Sequence, residues 1–479
     1  MTATEEGVAL SQSSQVVLVI AGASAVVFLG YLVYALLGCI RAAGRALAPS
    51  HSSKAKLKPV KTKAAKDKTS DSDVDTPVAS VSVAPGKERG PDLKSLIKAE
   101  KAAAKKKGAT SKEDAMSHHE LWLNTLKDHG DTVTGLAWSR DGRLLGSACE
   151  DMTLRLFDLG EDVGAKNPKF KRIRTARIPI GVGFGDSPDQ LAAVLRGAPD
   201  TLVALYGPVV KQAGEAPVYD ALWTVGNVHG KEPALPAVAA SVPSEGAVGR
   251  RGYVVSLSTK REGRVYDMKG SLLASFEPSA LANHDLAVSY DGRFIAAATF
   301  SSDVKIWEMK YSREGEFRGL LKAMNLSGHR GQVACVGLSY DNCRAATAGK
   351  DGMLKVWNID VRYELSEDPK VLLAIPMPLP EGRIYQHLAF GPPGSDLLAA
   401  SHEGVVHLLN LRSGELVERI AAHDGPITCM RWCPLPRKLL PGGAAAGAAG
   451  AAAAAGAVVF VLATASRDKR VRLWRAPKY

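Results

Sequence analysis

Three groups of residues in this 479-residue chain have the side-chain types of a hydroxyl–imidazole–carboxylate relay. They are His329, Thr347 and Asp351; His423, Thr464 and Asp468; and His129, Ser147 and Asp151. In one copy, such a set runs nucleophilic chemistry, the imidazole taking the hydroxyl proton while the carboxylate orients the ring. Recurrence argues against that. A triad occurs once, whereas a set repeated along the chain belongs to a repeating architecture. The structural reading is that a turn Asp paired to an imidazole fixes a tight turn. Trp357 and Trp474 complete two of the sets, so that each buried polar group finds a partner. The third set has Phe157 in the Trp place.

Other chemistry is missing from the sequence. There is no GxGxxG opening a helix, P-loop, HExxH, EF-hand loop or recognisable pair of carboxylates. The six cysteines include no CxxC pair and no His spacing that completes a zinc site, and most sit in apolar runs as reduced core thiols. The expectation is a protein that is not an enzyme and has no cofactor and no small-molecule substrate. Arg330, Lys350, Arg467 and Lys469 stand beside the Gly-His and turn-Asp positions and form the candidate partner-binding rim.

The elements that must hold these residues are short β-rich runs between turns. The clearest unit is residues 328–360, GHRGQVACVGLSYDNCRAATAGKDGMLKVWNID. Gly-His leads into an alternating strand, a turn, a small-residue strand, a tight Lys-Asp-Gly turn and a strand ending in Trp357. That is the WD-repeat signature, with WN for WD. Further copies lie at 128–158, 284–308 and from His423 to Trp474, and weaker ones at 178–207, 253–270 and 384–410. Seven units predict an all-β fold, a seven-bladed WD40 β-propeller over 119–479. The last unit lacks an outer strand, and LWLNTLK at 121–127 is the natural strand to supply it. A Gly/Ala run at 442–456 reads as a disordered loop inside the last blade.

The chain ahead of the propeller is of another kind. Residues 16–40, VVLVIAGASAVVFLGYLVYALLGCI, carry no charge and are long enough for one transmembrane helix. Residues 1–15 would then be a short non-cytosolic tail. Residues 41–112 hold 18 Lys/Arg against 7 Asp/Glu, so this tract carries nearly all of the +12 formal charge. It reads as a basic flexible linker with a helix at 92–107. Arg41, Arg45, Lys54, Lys56, Lys58, Lys61 and Lys63 resist translocation and can lie on anionic headgroups, which places the propeller in the cytosol. The same lysines support an alternative, an RNA- or ribosome-binding arm. The sequon at Asn325 should sit in an exposed loop and report topology.

Two stretches go beyond general repeat features: HDLAVSYDGRFIAAATFSSDVKIWEMKYSREGEFRGLLKAMNLSGH and KDGMLKVWNIDVRYELSEDPKVLL. In these the chain resembles the transducin beta-like protein 2 family, membrane-anchored WD-repeat proteins of the endoplasmic reticulum. The resemblance implies a single-pass endoplasmic reticulum protein with a cytosolic propeller. It further implies a protein-interaction scaffold linking the unfolded-protein response and translation control, with a stress-sensing kinase, translation components or messenger RNA as partners. A vesicle-trafficking WD-repeat factor is the remaining alternative, but that family carries its anchor at the other end.

Overall fold

The computed structural model describes residues 119–477, apart from 166, 198–199, 211–216, 231, 242–251 and 440–457. The expected tail, transmembrane helix, basic linker and Gly/Ala loop lie outside the described residues. Among those described, no helix is long and apolar enough to cross a membrane.

Seven four-stranded antiparallel sheets follow one another along the chain as the blades of a WD40 propeller. Blade five shows why the sequence folds this way. Its innermost strand, Val333–Leu338, is mostly buried, with Ala334 and Leu338 half-buried. The second, Arg344–Gly349, is lined on both faces by neighbouring blades, so it reads as an unbroken run of small buried residues. The third, Met353–Asn358, carries Trp357, and the outer strand Lys370–Pro376 faces solvent. The same logic makes Phe294–Thr299, Leu397–His402 and Val461–Ser466 nearly wholly buried.

In blades one, four and five the first hairpin turns on a Ser-x-Asp motif. The hydroxyls of Ser139, Ser289 and Ser339 donate to Asp141, Asp291 and Asp341 at 2.6, 2.8 and 2.5 Å. The next residue takes positive φ, supplied by Gly142, Gly292 and Asn342, the types that tolerate it.

The innermost strands ring the centre: Val133–Trp138, Ile178–Phe184, Ala234–Ser241, Asn283–Val288, Val333–Leu338, His387–Phe390 and Ile427–Trp432. Side chains stitch them together. Thr134 donates to the Pro179 carbonyl (2.7 Å), Asn283 to that of Ser258 (3.0 Å), Trp432 to that of Ala389 (3.2 Å) and Trp138 to that of Arg431 (3.1 Å). The last bond joins blade seven to blade one. Closure is completed at the outside, where Trp122–Leu126 pairs antiparallel with Val471–Arg475 and becomes the fourth strand of blade seven, as the sequence predicts.

Two expectations need correction. The third unit begins earlier than Tyr253, since Ala234–Ser241 is its innermost strand. Pro236 lies within this strand, which as the innermost one is a sheet edge, the place where a strand tolerates proline. The Asn325 sequon lies in the long outer strand Phe317–Ser327 rather than in a loop; its side chain is nonetheless exposed. The flanks of the 440–457 stretch form their own ladder, Arg437–Lys438 with Val458–Val459.

Candidate functional site

In blade five the predicted set is assembled. Asp351 lies on the Nδ1 side of His329 (2.9 Å), which fixes the proton there and leaves Nε2 to accept from the Thr347 hydroxyl (2.8 Å). The Trp357 indole N–H donates to the same hydroxyl oxygen (2.8 Å). Burial lowers the pKa of His329 against the raising effect of Asp351. For Asp351 burial works upward, but the Arg330 N–H and His329 outweigh it and hold the carboxyl low. Blade seven repeats the chain through His423, Thr464, Asp468 and Trp474, at 2.9, 2.8 and 3.0 Å. Thr347 and Thr464 are fully buried, so neither hydroxyl can meet a substrate.

Blade one departs from the pattern. His129 bonds Ser147 (2.9 Å), but Asp151 turns to Arg155 (2.7 Å) and the Gly130 N–H (3.0 Å), leaving His129 Nδ1 without a partner. Arg155, buried to 1% exposure and four residues after the Asp, holds the carboxylate that the ring holds in blades five and seven. Burial and Arg155 lower His129 to about 3. Arg472 occupies the matching place in blade seven and also reaches Asp468 (3.1 Å). Both arginines were legible as a basic residue four places after each turn Asp. Two further buried sets escaped the sequence reading: His229 with Ser256 (2.7 Å) and Tyr385 with His407 (2.8 Å). The order Val-His-Gly at 228–230 was the signal for the first.

Thr347→Val keeps the volume of the side chain and strands both the His329 acceptor and the Trp357 donor. It should cost about 2–5 kcal/mol in urea unfolding, and Ser147→Ala, which orphans one nitrogen, about half as much. A loss below about 1 kcal/mol for Thr347→Val would show that the set does not stabilise the blade.

Of the rim residues, Arg330, Lys350 and Arg467 are exposed. Lys350 is near enough to His284, on the innermost strand of blade four, to help burial lower its pKa. Lys469 is also exposed but is not a free cation. It bridges blades seven and one through the Gly130 carbonyl (2.9 Å) and Asp131 (3.5 Å).

The feature that sequence reasoning missed is the centre of the ring. A cavity of about 310 Å³ runs between the innermost strands. By register, one position on these strands is occupied by Ala137, Gly183, Ala239, Ala287, Gly337 and Ala389 in six blades and by Arg431 in the seventh. Ala137, Gly183, Ala287, Gly337 and Ala389 line the cavity at this level, and the large residue among the described side chains there is a cation, Arg431. Two positions earlier stand Asp285 and His387, both reaching the cavity. Burial raises Asp285 to about 6, against the Val336 and Leu286 N–H groups and Arg431. Burial and Arg431 lower His387 to about 4. At the Ser-x-Asp end, the mouth is formed by Trp138, Arg140, Tyr290 and Tyr340. The two tyrosine rings lie 5.1 Å apart, and the Tyr340 hydroxyl donates to the Trp432 carbonyl (3.0 Å). This mouth is at the opposite end of the strands from the Gly-His rim.

Fold and site together define a WD40 propeller of the protein-interaction scaffold class, a fold that is typically non-catalytic. The WD domain, G-beta repeat model matches residues 122–158, 321–358 and 414–475, and the anaphase-promoting complex subunit 4 WD40 domain model matches 354–434. The chain is similar to human transducin beta-like protein 2, 26% identical over 310 residues, which cover 64% of this chain and 67% of that protein. The mouse protein of the same name is 25% identical over 316 residues, with the same coverage. Nuclear distribution protein PAC1-2 of Uncinocarpus reesii is 22% identical over 344 residues, 67% of this chain and 68% of that protein. The resemblance to the transducin beta-like protein 2 family, first carried by blades four and five, thus extends over nearly two thirds of the chain.

Proposed function

We propose that this chain is a non-catalytic scaffold tethered to the endoplasmic reticulum membrane, with its propeller in the cytosol, where it links the unfolded-protein response to translation control. The observation that carries the tether is the uncharged run at 16–40, followed at once by Arg41, Arg45 and the lysines from Lys54 to Lys63. The compartment and the pathway are what the resemblance to the transducin beta-like protein 2 family implies, and the chain is 26% identical to the human protein of that name. Domain bounds follow the sequence reading: tail 1–15, span 16–40, linker 41–112 and propeller 119–479.

The exposed Asn325 sequon gives the test. Translated with microsomes, the intact chain should co-sediment with membrane after alkaline extraction, stay unglycosylated and yield its propeller to added protease. A glycosylated, protected propeller would overturn the orientation, and extraction by alkali would overturn the anchor. Affinity capture from stressed cells should then recover a stress-sensing kinase or translation components; recovery of neither would remove the pathway. The Lys-rich linker favours a second reading, direct RNA or ribosome contact. That reading requires salt-sensitive binding that disappears when the lysines of 54–107 are neutralised.

A further inference from the structure

Arg431 is placed as a receptor group rather than a structural one. Among the described side chains, glycine or alanine stands at its level in five other blades (Ala137, Gly183, Ala287, Gly337 and Ala389), and all five line the cavity with it. Its guanidinium donates from Nη1 to the Met430 carbonyl (2.8 Å) and forms no ion pair among the described residues. That contrasts with the buried arginines of the blades: Arg155 and Arg472 are each spent on a turn Asp. Asp285, which shares the cavity, is already engaged. It accepts the Val336 N–H (3.0 Å) and pins blade four to blade five.

The path to Arg431 is apolar at its sides and polar at its edge. Trp138 spends its indole N–H on the Arg431 carbonyl, and Tyr340 its hydroxyl on the Trp432 carbonyl, so both aromatic side chains that line the cavity are anchored. Tyr290 stands at the entrance, 39% exposed. Aromatic walls ahead of a guanidinium suit an aliphatic stem that ends in a carboxylate, because the stem buries on the rings while the fork of N–H groups takes both oxygens. A cavity of about 310 Å³ admits one or two side chains, not a folded domain. Asp285, one level deeper, repels further negative charge and favours a single-charged group over a dianion.

We propose that the central channel is a receptor for an acidic peptide segment, whose Asp or Glu side chain enters past Tyr290 and Tyr340 and is held by Arg431. This names the partner chemistry of the scaffold and rests on that reading.

The test uses the full-length chain and two capped pentapeptides, identical except for a central glutamate or glutamine. Binding is read by calorimetry and by the fluorescence of Trp138 and Trp432. The glutamate peptide should bind about tenfold to a hundredfold more tightly than its partner, the range lost with a charge-assisted hydrogen bond. Arg431→Gln should erase the preference. Arg431→Lys, which keeps the charge but not the fork, should retain part of it and serves if the glutamine variant melts early. Equal binding of the two peptides, binding of neither, or a preference that survives Arg431→Gln overturns the proposal. Cellular partners still captured by the wild-type chain in those cases would leave the scaffold standing without this site, whereas no captured partner at all would remove the scaffold itself.

Discussion

A chain that begins at Asp128 should not form a stable propeller, although one that begins at residue 119 should. The strand Trp122–Leu126 is the fourth strand of blade seven and holds the first and last segments of the ring together. Leu121, Leu123 and Leu126 are at most 4% exposed, and Asn124 ties the strand to the Ala165 carbonyl at 2.7 Å. At about 1.5–3 kcal/mol per buried leucine, the strand contributes roughly 5–9 kcal/mol, comparable with the whole stability of an ordinary domain. Its loss also exposes a long apolar edge at Val471–Arg475, which invites aggregation. Circular dichroism and size exclusion of the two truncations check this. A peptide spanning 119–127, added in trans, should recover part of the folded signal. A cooperative, monomeric 128–479 fragment with an unchanged melting temperature would show that the innermost ring closes without the outer strand.

The second large effect is on pH. Burial lowers His129 to about 3 and His229 to about 4, and burial with Arg431 lowers His387 to about 4. In the unfolded chain these rings titrate near the ordinary value of about 6.5. Below that value the unfolded state takes up protons that the folded state refuses. The stabilisation is therefore complete above about pH 6.5 and is lost as pH falls toward the folded values. Asp285 acts in the opposite sense. Raised to about 6, it favours the folded state as it protonates between that pH and the ordinary carboxylate range. Three rings against one carboxyl leave a net loss on acidification. Each enclosed ring should contribute on the order of 2 kcal/mol by about pH 5, and His387, half-buried on the cavity wall, less. Urea unfolding at pH 7.5, 6 and 5 should show a steady fall, and His229→Gln should make it shallower. A flat profile would mean that these rings are solvated in the folded protein.

Much of the blade machinery could be read from residue order. The sets at His329 and His423 sit within one repeat unit, so their distances are set by a hairpin and two strands, and the sequence pattern carries that geometry. The departure at blade one is not carried by the pattern: Arg155 holds Asp151 in place of His129, whereas in blade seven Asp468 serves both His423 and Arg472. Lys469 likewise looked like a surface charge until ring closure brought Gly130 and Asp131 beside it from the far end of the chain.

By itself the sequence determined the repeat, the small-residue second strands and the strand that closes the ring. It also carries the apolar and basic tracts that precede the propeller. These depend on local periodicity and on near neighbours in the chain. Tertiary structure alone decided what stands at the centre. Arg431 differs from Gly337 or Ala137 only as one residue in its own strand, and its meaning appears when seven strands far apart in sequence are brought to one level around a common axis. Periodicity within a strand fixes which way a side chain points, but which side chains face one another across the channel is settled by closure of the ring.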